Sequence, residues 1–169
     1  MKQYQQTIII ALLILVLSAW LGRHYLREWL FTPAINFKET ALSTIDSNQL
    51  ITIANFKEKV IIVSCYQTWC IDCARETPVL NQLSNQINSD QFKVIYISDE
   101  DASKVNIFRQ RFMSGNILFV KSPKSMSNMG IRAFPTTFLL NKKGEIIKTT
   151  YEGYDWLNEV IAIKKLIVQ

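Results

Sequence analysis

Cysteine and histidine are scarce in this chain, and their scarcity removes whole classes of function. Three cysteines, Cys65, Cys70 and Cys73, in 169 residues are too few for a fold built on disulfides. The single histidine, His24, stands beside an apolar N-terminal run. A structural zinc site takes four ligands; Cys70 and Cys73 supply two and Cys65 is predicted on a strand, so no metal is expected. Concentrated basic charge is lacking as well. The net charge is +5, but beyond residue 30 the cations are scattered apart from pairs such as Lys142-Lys143 and Lys164-Lys165. No nucleic-acid motif is present, so a solvated surface accounts for the charge and no nucleic-acid partner is expected. Internal repeats and low-complexity segments are also missing. What the chain does have is apolar material, 49% of its residues, enough for one globular domain with a short appendage.

The appendage is N-terminal. TIIIALLILVLSAWLG, Thr7 to Gly22, runs without a charge. It is slightly short of the roughly 20 residues a bilayer core demands. Tyr4, Trp20 and Tyr25 are spaced to sit at the two interfaces, and Arg23 to snorkel. Leu17-Ser18-Ala19 is a poor cleavage site, and no cysteine follows the run to carry a lipid. An uncleaved transmembrane anchor is therefore favoured over a cleaved signal peptide, with a buried soluble helix as the third reading. Lys2 and the terminal amine on one side nearly balance Arg23 and Arg27 on the other, so orientation must come from function. The expected organisation is a membrane anchor and juxtamembrane segment over residues 1–30, a linker within 23–33 ending at Pro33, and one domain over 31–169.

Within that domain, KVIIVSCY (59–66) is a continuous β-branched run, as expected of a strand buried on both faces. Leu80, Leu83 and Ile87 recur at helical spacing, predicting a helix from Cys73 to about Asn88 with a kink near Pro78. FKVIYIS (92–98) predicts a second buried strand. Residues 102–112 read as a helix whose start is favoured by Asp99-Glu100-Asp101. NILFVK (116–121) is a short strand, TTFLLN (136–141) and EIIKTTY (145–151) a hairpin around Lys142-Lys143-Gly144, and residues 154–167 a closing helix. This order implies an α/β sandwich with a mixed sheet.

The stretch WCIDC, Trp69 to Cys73, follows the first strand at once and opens a helix. Free amides and the helix dipole at that point stabilise a thiolate on Cys70, lowering its pKa from about 8.5 into the range of about 3.5–7.5. Cys73 lies one helical turn on, close enough to close a disulfide. A staple across so short a loop constrains little of the unfolded chain, and a metal is short of ligands. A redox pair is the strongest of the three readings.

Trp-Cys-x-x-Cys at 69–73, Glu76, Pro78 and Phe134-Pro135-Thr136-Thr137-Phe138 together resemble the thioredoxin-like superfamily. Within it the chain looks like the membrane-anchored TlpA/ResA-like thiol-disulfide oxidoreductases, over about residues 34–168. The resemblance implies a thioredoxin-like three-layer sandwich around a central mixed sheet, preceded by an N-terminal transmembrane helix. It also implies a cis bond before Pro135. On this reading Cys70 attacks a substrate disulfide and Cys73 resolves the mixed disulfide. Trp69 covers one side of the site, against the plainer reading of a core aromatic. Pro135 offers backbone without an amide proton to an extended substrate peptide, and Thr136 supports it. Glu76 is expected to pass a proton to or from the thiols, the alternative being a solvated helix charge paired with Arg75 or Lys93.

Three positions depart from the family pattern. Ser64 stands where thioredoxin has a buried aspartate, a task Glu76 would take over. Cys65 stands where a large aromatic is usual, and plain packing is the leading reading for it. Asp72 replaces the usual proline before the second cysteine. Its charge disfavours the Cys70 thiolate, which lowers the reduction potential and makes a better reductant; Asp72 is also a candidate helix cap. The expected function is extracytoplasmic reduction of disulfides in exported proteins, apocytochrome cysteines among the candidate substrates. No cofactor is expected; a membrane electron donor would restore the dithiol. Two rivals stay open at this stage: an oxidising or isomerising enzyme, and a tethered binding or assembly module without turnover.

Overall fold

The computed structural model describes residues 2–31, 35, 37, 39–112, 116–151 and 153–169, leaving out the side chains of 2–5, 7–9 and 24–31. Two compact units emerge, Met1–Pro33 and Ala34–Gln169.

The first unit holds α1, Lys2–Phe31. Residues expected to form the linker are helical as far as Phe31, while Pro33 lies outside the described residues. So do the side chains of Tyr4 and Tyr25, the expected interface anchors. Ile10 to Leu17, Trp20 and Leu21 carry their apolar side chains in the open. Among the described residues no helix is long and apolar enough to cross a membrane. That departs from the expected transmembrane span. The apolar stretch Thr7–Gly22 is 16 residues, with polar Gln5 and Gln6 before it and Arg23 after it, and falls short of about 20 residues.

The second unit begins with an edge ribbon, β1 (Leu42–Thr44) and β2 (Leu50–Ile51). There follow β3 (Val60–Cys65), α2 (Ile71–Ile87), β4 (Phe92–Ser98), α3 (Ala102–Phe112) and β5 (Ile117–Lys121). The chain closes with β6 (Thr136–Leu140), β7 (Ile146–Tyr151) and α4 (Val160–Val168), with a single 3-10 turn at Trp156–Glu159 before α4. One sheet results, in the order β2-β1-β5-β4-β3-β6-β7. Strands β3, β4 and β5 are parallel, and β1, β6 and β7 join antiparallel, so the sheet is mixed as expected.

All six residues of β3 are buried because both faces of the strand are covered. Val60, Ile62 and Tyr66 point toward α2, with Leu80, Leu83 and Ile87 of that helix. Ile61, Val63 and Cys65 point the other way, into a second core with Ile97, Phe138 and Met129. Burying each of the α2 aliphatics stabilises the layer by about 1.5–3 kcal/mol. Val105 and Phe108 of α3 and Ile163 of α4 lie in the same core as α2. The described helices of this unit therefore cover one face. Over the other face the expected third layer consists of 3-10 turns at Ile53–Phe56 and Ser127–Met129 with irregular chain. In the β5–β6 crossing Gly130, in the left-handed conformation at φ 79°, ends the Ser127–Met129 turn after three residues.

Helix α2 starts two residues before its predicted start, because Cys70 serves as its N-cap. It runs through Pro78, which is exposed and whose missing N–H leaves one helical carbonyl without its usual donor. Asn88 ends it in the left-handed conformation at φ 41°, its amide donating to the Ser84 carbonyl at 2.9 Å.

Candidate active site

Beyond Cys65 the chain crosses the end of the sheet before α2 begins. Side chains from the loop after β4 hold that crossing. Gln67 Nε2 donates to Asp99 Oδ1 at 2.6 Å. The Thr68 amide and hydroxyl donate to the two carboxylate oxygens of Glu100 at 2.6 and 3.0 Å. The acidic stretch read as a favourable helix start thus has a further use: two of its three carboxylates grip the loop that presents Trp69 and Cys70. No local pattern in the sequence pairs residues 32 positions apart.

Cys70 and Cys73 are joined in a disulfide with Cα atoms 5.2 Å apart. The Cys73 amide donates to Cys70 Sγ at 3.1 Å, one of the free donors that a helix start aims at the sulfur. Exposure divides the pair: Cys70 keeps 7% of its surface and Cys73 none. Trp69 and Ile71 flank Cys70 and are 70% and 69% exposed, forming an apolar rim. The Trp69 ring meets Phe134 edge to face at 5.8 Å, which ties the WCIDC loop to the segment before β6. The Phe134–Pro135 bond is cis, as the resemblance implied, and Pro135 is buried. Thr136 pairs with Cys65 across the sheet, and its hydroxyl donates to the Ala133 carbonyl at 2.8 Å, closing the turn before Pro135.

Glu76 is 2% exposed and lies on the apolar stripe of α2, one turn beyond Cys73. The alternative of a solvated charge paired with Arg75 or Lys93 does not hold. Oε1 accepts from the Trp156 indole Nε1 at 3.0 Å and from Thr137 Oγ1 at 3.1 Å. Oε2 accepts from Ser64 Oγ at 2.9 Å and Thr137 Oγ1 at 3.0 Å. Ser64 and Thr137 face each other in the β3–β6 register, hydroxyls 2.9 Å apart. Burial pushes the Glu76 carboxyl above the usual carboxylate range, and the hydrogen bonds from Trp156, Ser64 and Thr137 hold it partly back. Ser64, at the position of the missing strand aspartate, is thus a partner of Glu76. Trp156 comes from 80 residues away and carried no sequence signal.

Asp72 is not the helix cap. It pairs with Arg75 at 3.0 Å, both side chains being substantially exposed. The guanidinium offsets part of the negative charge beside Cys70. Cys65 is fully buried in the core on the far face of the sheet, away from the disulfide, and burial pushes its thiol upward. Its surroundings are those of a packing residue. Among the described residues, no three His, Cys, Asp or Glu side chains gather where they could hold a metal ion.

Known proteins resemble the chain in sequence and fold. The family model described as Redoxin matches residues 32–163. The thiol-disulfide oxidoreductase ResA of Geobacillus thermodenitrificans (strain NG80-2) is 25% identical over 155 residues, covering 88% of this chain and 88% of the relative. The thiol:disulfide interchange protein DsbE of Pseudomonas fluorescens biotype C is 29% identical over 134 residues, covering 76% of this chain and 67% of the relative. The crystal structure of StoA from Bacillus subtilis superposes with a TM-score of 0.56 at 25% identity, covering 80% of this chain and 98% of that one.

Proposed function

This chain belongs to the Redoxin family and is a thiol-disulfide oxidoreductase of thioredoxin-like fold, and on that premise we propose that it reduces disulfides of exported proteins outside the cytoplasm. The observation that carries the reading is the Cys70–Cys73 disulfide at the start of α2 with the buried Glu76 one turn further on. In the dithiol form Cys70, the sulfur with accessible surface, attacks a substrate disulfide as the thiolate. A Cys70–substrate disulfide forms and one substrate thiolate leaves. Cys73 then gives its proton to Glu76 and attacks Cys70 Sγ, releasing the second substrate thiol. Two electrons pass to the substrate and the Cys70–Cys73 disulfide remains, for a membrane electron donor to reduce. Trp69, Ile71 and Phe134 give the substrate an apolar seat, and Pro135 borders it.

The direction is tested by the reduction potential and by an insulin reduction assay. A potential near or below about −270 mV with turnover of insulin is the expected result; a value near −120 mV would mark an oxidant and overturn it. Asp72 contributes to that direction, less than a lone charge would because Arg75 shares it. Asp72→Pro is expected to raise the potential by about 20 mV, the scale of a partly screened exposed charge. An unchanged or lower potential removes Asp72 from the tuning.

Membrane attachment is supported by α1, whose exposed apolar side chains over Ile10–Leu17 would be covered by lipid. The full chain is expected in the membrane fraction, resisting a high-salt or alkaline wash and released by detergent. Recovery in the soluble fraction after washing would overturn the attachment.

A further inference from the structure

Glu76 has two oxygens, and their partners are chemically unequal. At Oε1 one partner is the Trp156 indole, a group that can only donate a hydrogen bond. At Oε2 the partners are the Ser64 and Thr137 hydroxyls, which can donate or accept. A proton on Oε1 would leave the indole N–H facing a hydroxyl-type oxygen, a poorer acceptor than a carbonyl-type one, and the one hydroxyl within reach of Oε1, that of Thr137 at 3.1 Å, is shared with Oε2. A proton on Oε2 can be donated to a hydroxyl oxygen that turns to receive it. The displaced hydroxyl hydrogen also has somewhere to go. Tyr96, from β4, buries its hydroxyl beside Ser64 and Thr77 with no hydrogen bond of full geometry of its own.

We propose that Trp156 is a positioning residue that reserves Glu76 Oε1 as a permanent acceptor and so assigns the exchangeable proton to Oε2, with the Ser64, Thr137 and Tyr96 hydroxyls reorienting as it comes and goes. The indole is held for this task. Trp156 is fully buried and stacks edge to face on Tyr154 at 5.1 Å. The Tyr154 hydroxyl donates to Glu159 at 2.6 Å, and Lys148 meets both Tyr154 and Glu159. The titratable groups around Glu76 are Tyr96 from β4, Asp72, Arg75 and the cysteine pair on or at the start of α2, and Tyr154 and Asp155 before α4. The inference rests on the reading of Glu76 as the proton acceptor of the redox step, but its test does not.

The test uses the full chain with 15N-labelled tryptophan. The Trp156 indole N–H resonance is expected to follow a single titration, that of Glu76, and to stay protected from solvent exchange at both ends. In Glu76→Gln, whose amide nitrogen takes the place of a protonated Oε2, the resonance is expected to stay at its acid-end position at every pH. Trp156→Phe is expected to raise the Glu76 midpoint, read from its side-chain carboxyl 13C shift, by about one pH unit, through loss of a donor that favours the carboxylate. Ser64→Ala should move it far less, because the hydroxyl serves both protonation states. An indole resonance without pH dependence, one that loses protection in acid, or equal shifts in the two variants would each overturn the assignment. If Trp156→Phe does not fold, the wild-type titration still decides. Separately, a Glu76→Gln protein with an unchanged pH profile of Cys70 reactivity would remove Glu76 from the redox step without touching the Trp156 result.

Discussion

Cys70→Ser is expected to abolish disulfide reduction, to below about one-thousandth of the wild-type rate, because no other accessible thiol can start the exchange. Cys73→Ser is expected to fail differently. Its Cys70 still has surface and still attacks, but a serine hydroxyl cannot resolve the mixed disulfide, so a covalent adduct with substrate accumulates. Insulin reduction reads the first variant; non-reducing electrophoresis with mass spectrometry of the adduct reads the second and names the partner. The asymmetry comes from burial, Cys70 being 7% exposed and Cys73 not at all. Full turnover by Cys73→Ser, or a trapped adduct on Cys73 in the Cys70→Ser protein, would reverse the assignment of attacker and resolver.

Glu76→Ala is expected to destabilise the domain by about 2–4 kcal/mol, although it removes a charge from an apolar stripe. It strands the Trp156 N–H and one of two fully buried hydroxyls, Thr137 still being able to donate to Ser64 at 2.9 Å, and each unsatisfied donor costs about 1–3 kcal/mol before any rearrangement. Glu76→Gln keeps the shape and the hydrogen-bond count, so its cost near pH 5 should be below about 1 kcal/mol. The two proteins should separate as pH rises. Burial lifts the Glu76 carboxyl in the folded state above its value in the unfolded chain. The folded state then holds the proton more firmly, and the stability linked to it is full below the unfolded pKa and lost as pH rises through the folded one. Wild type is therefore expected to lose stability relative to Glu76→Gln on going from acid to alkaline pH. Asp46 and Glu159, held below the usual carboxylate range by Arg109 and Lys148, act in the opposite sense on the acid side. They are common to both proteins and cancel in the difference. Urea midpoints measured across pH 4–9 read the effect, and a constant difference would contradict it.

Much of this architecture was legible in the chain because it is local. The run Val60–Cys65 is apolar at every position but Ser64, and a strand covered on both faces needs nothing else to declare it. Glu76 was expected from the family resemblance, with a solvated charge as the alternative; its step with Cys73, Leu80 and Leu83 puts it on the buried side of α2. Strands β1 and β2 were not legible, since two or three residues are too few for alternation to speak. The partners of Glu76 were half legible. Ser64 and Thr137 follow once β3 and β6 are paired, but the pairing belongs to the sheet and not to either strand. Trp156 follows from nothing local, because the 3-10 turn that carries it is placed by Asp155 capping the Leu157 amide and by packing against α2.

The position of Cys65 has one more consequence. A chain with three sulfurs invites wandering bonds, since a mixed disulfide can hop to any thiolate it meets. Here the sheet stands between the reactive pair and the third sulfur, and the buried thiol is held in its protonated form. The backbone layer keeps the third sulfur out of reach of the exchanging pair. Electrons entering at Cys70 have a single exit, and a protein with an odd number of cysteines behaves as a clean two-electron device.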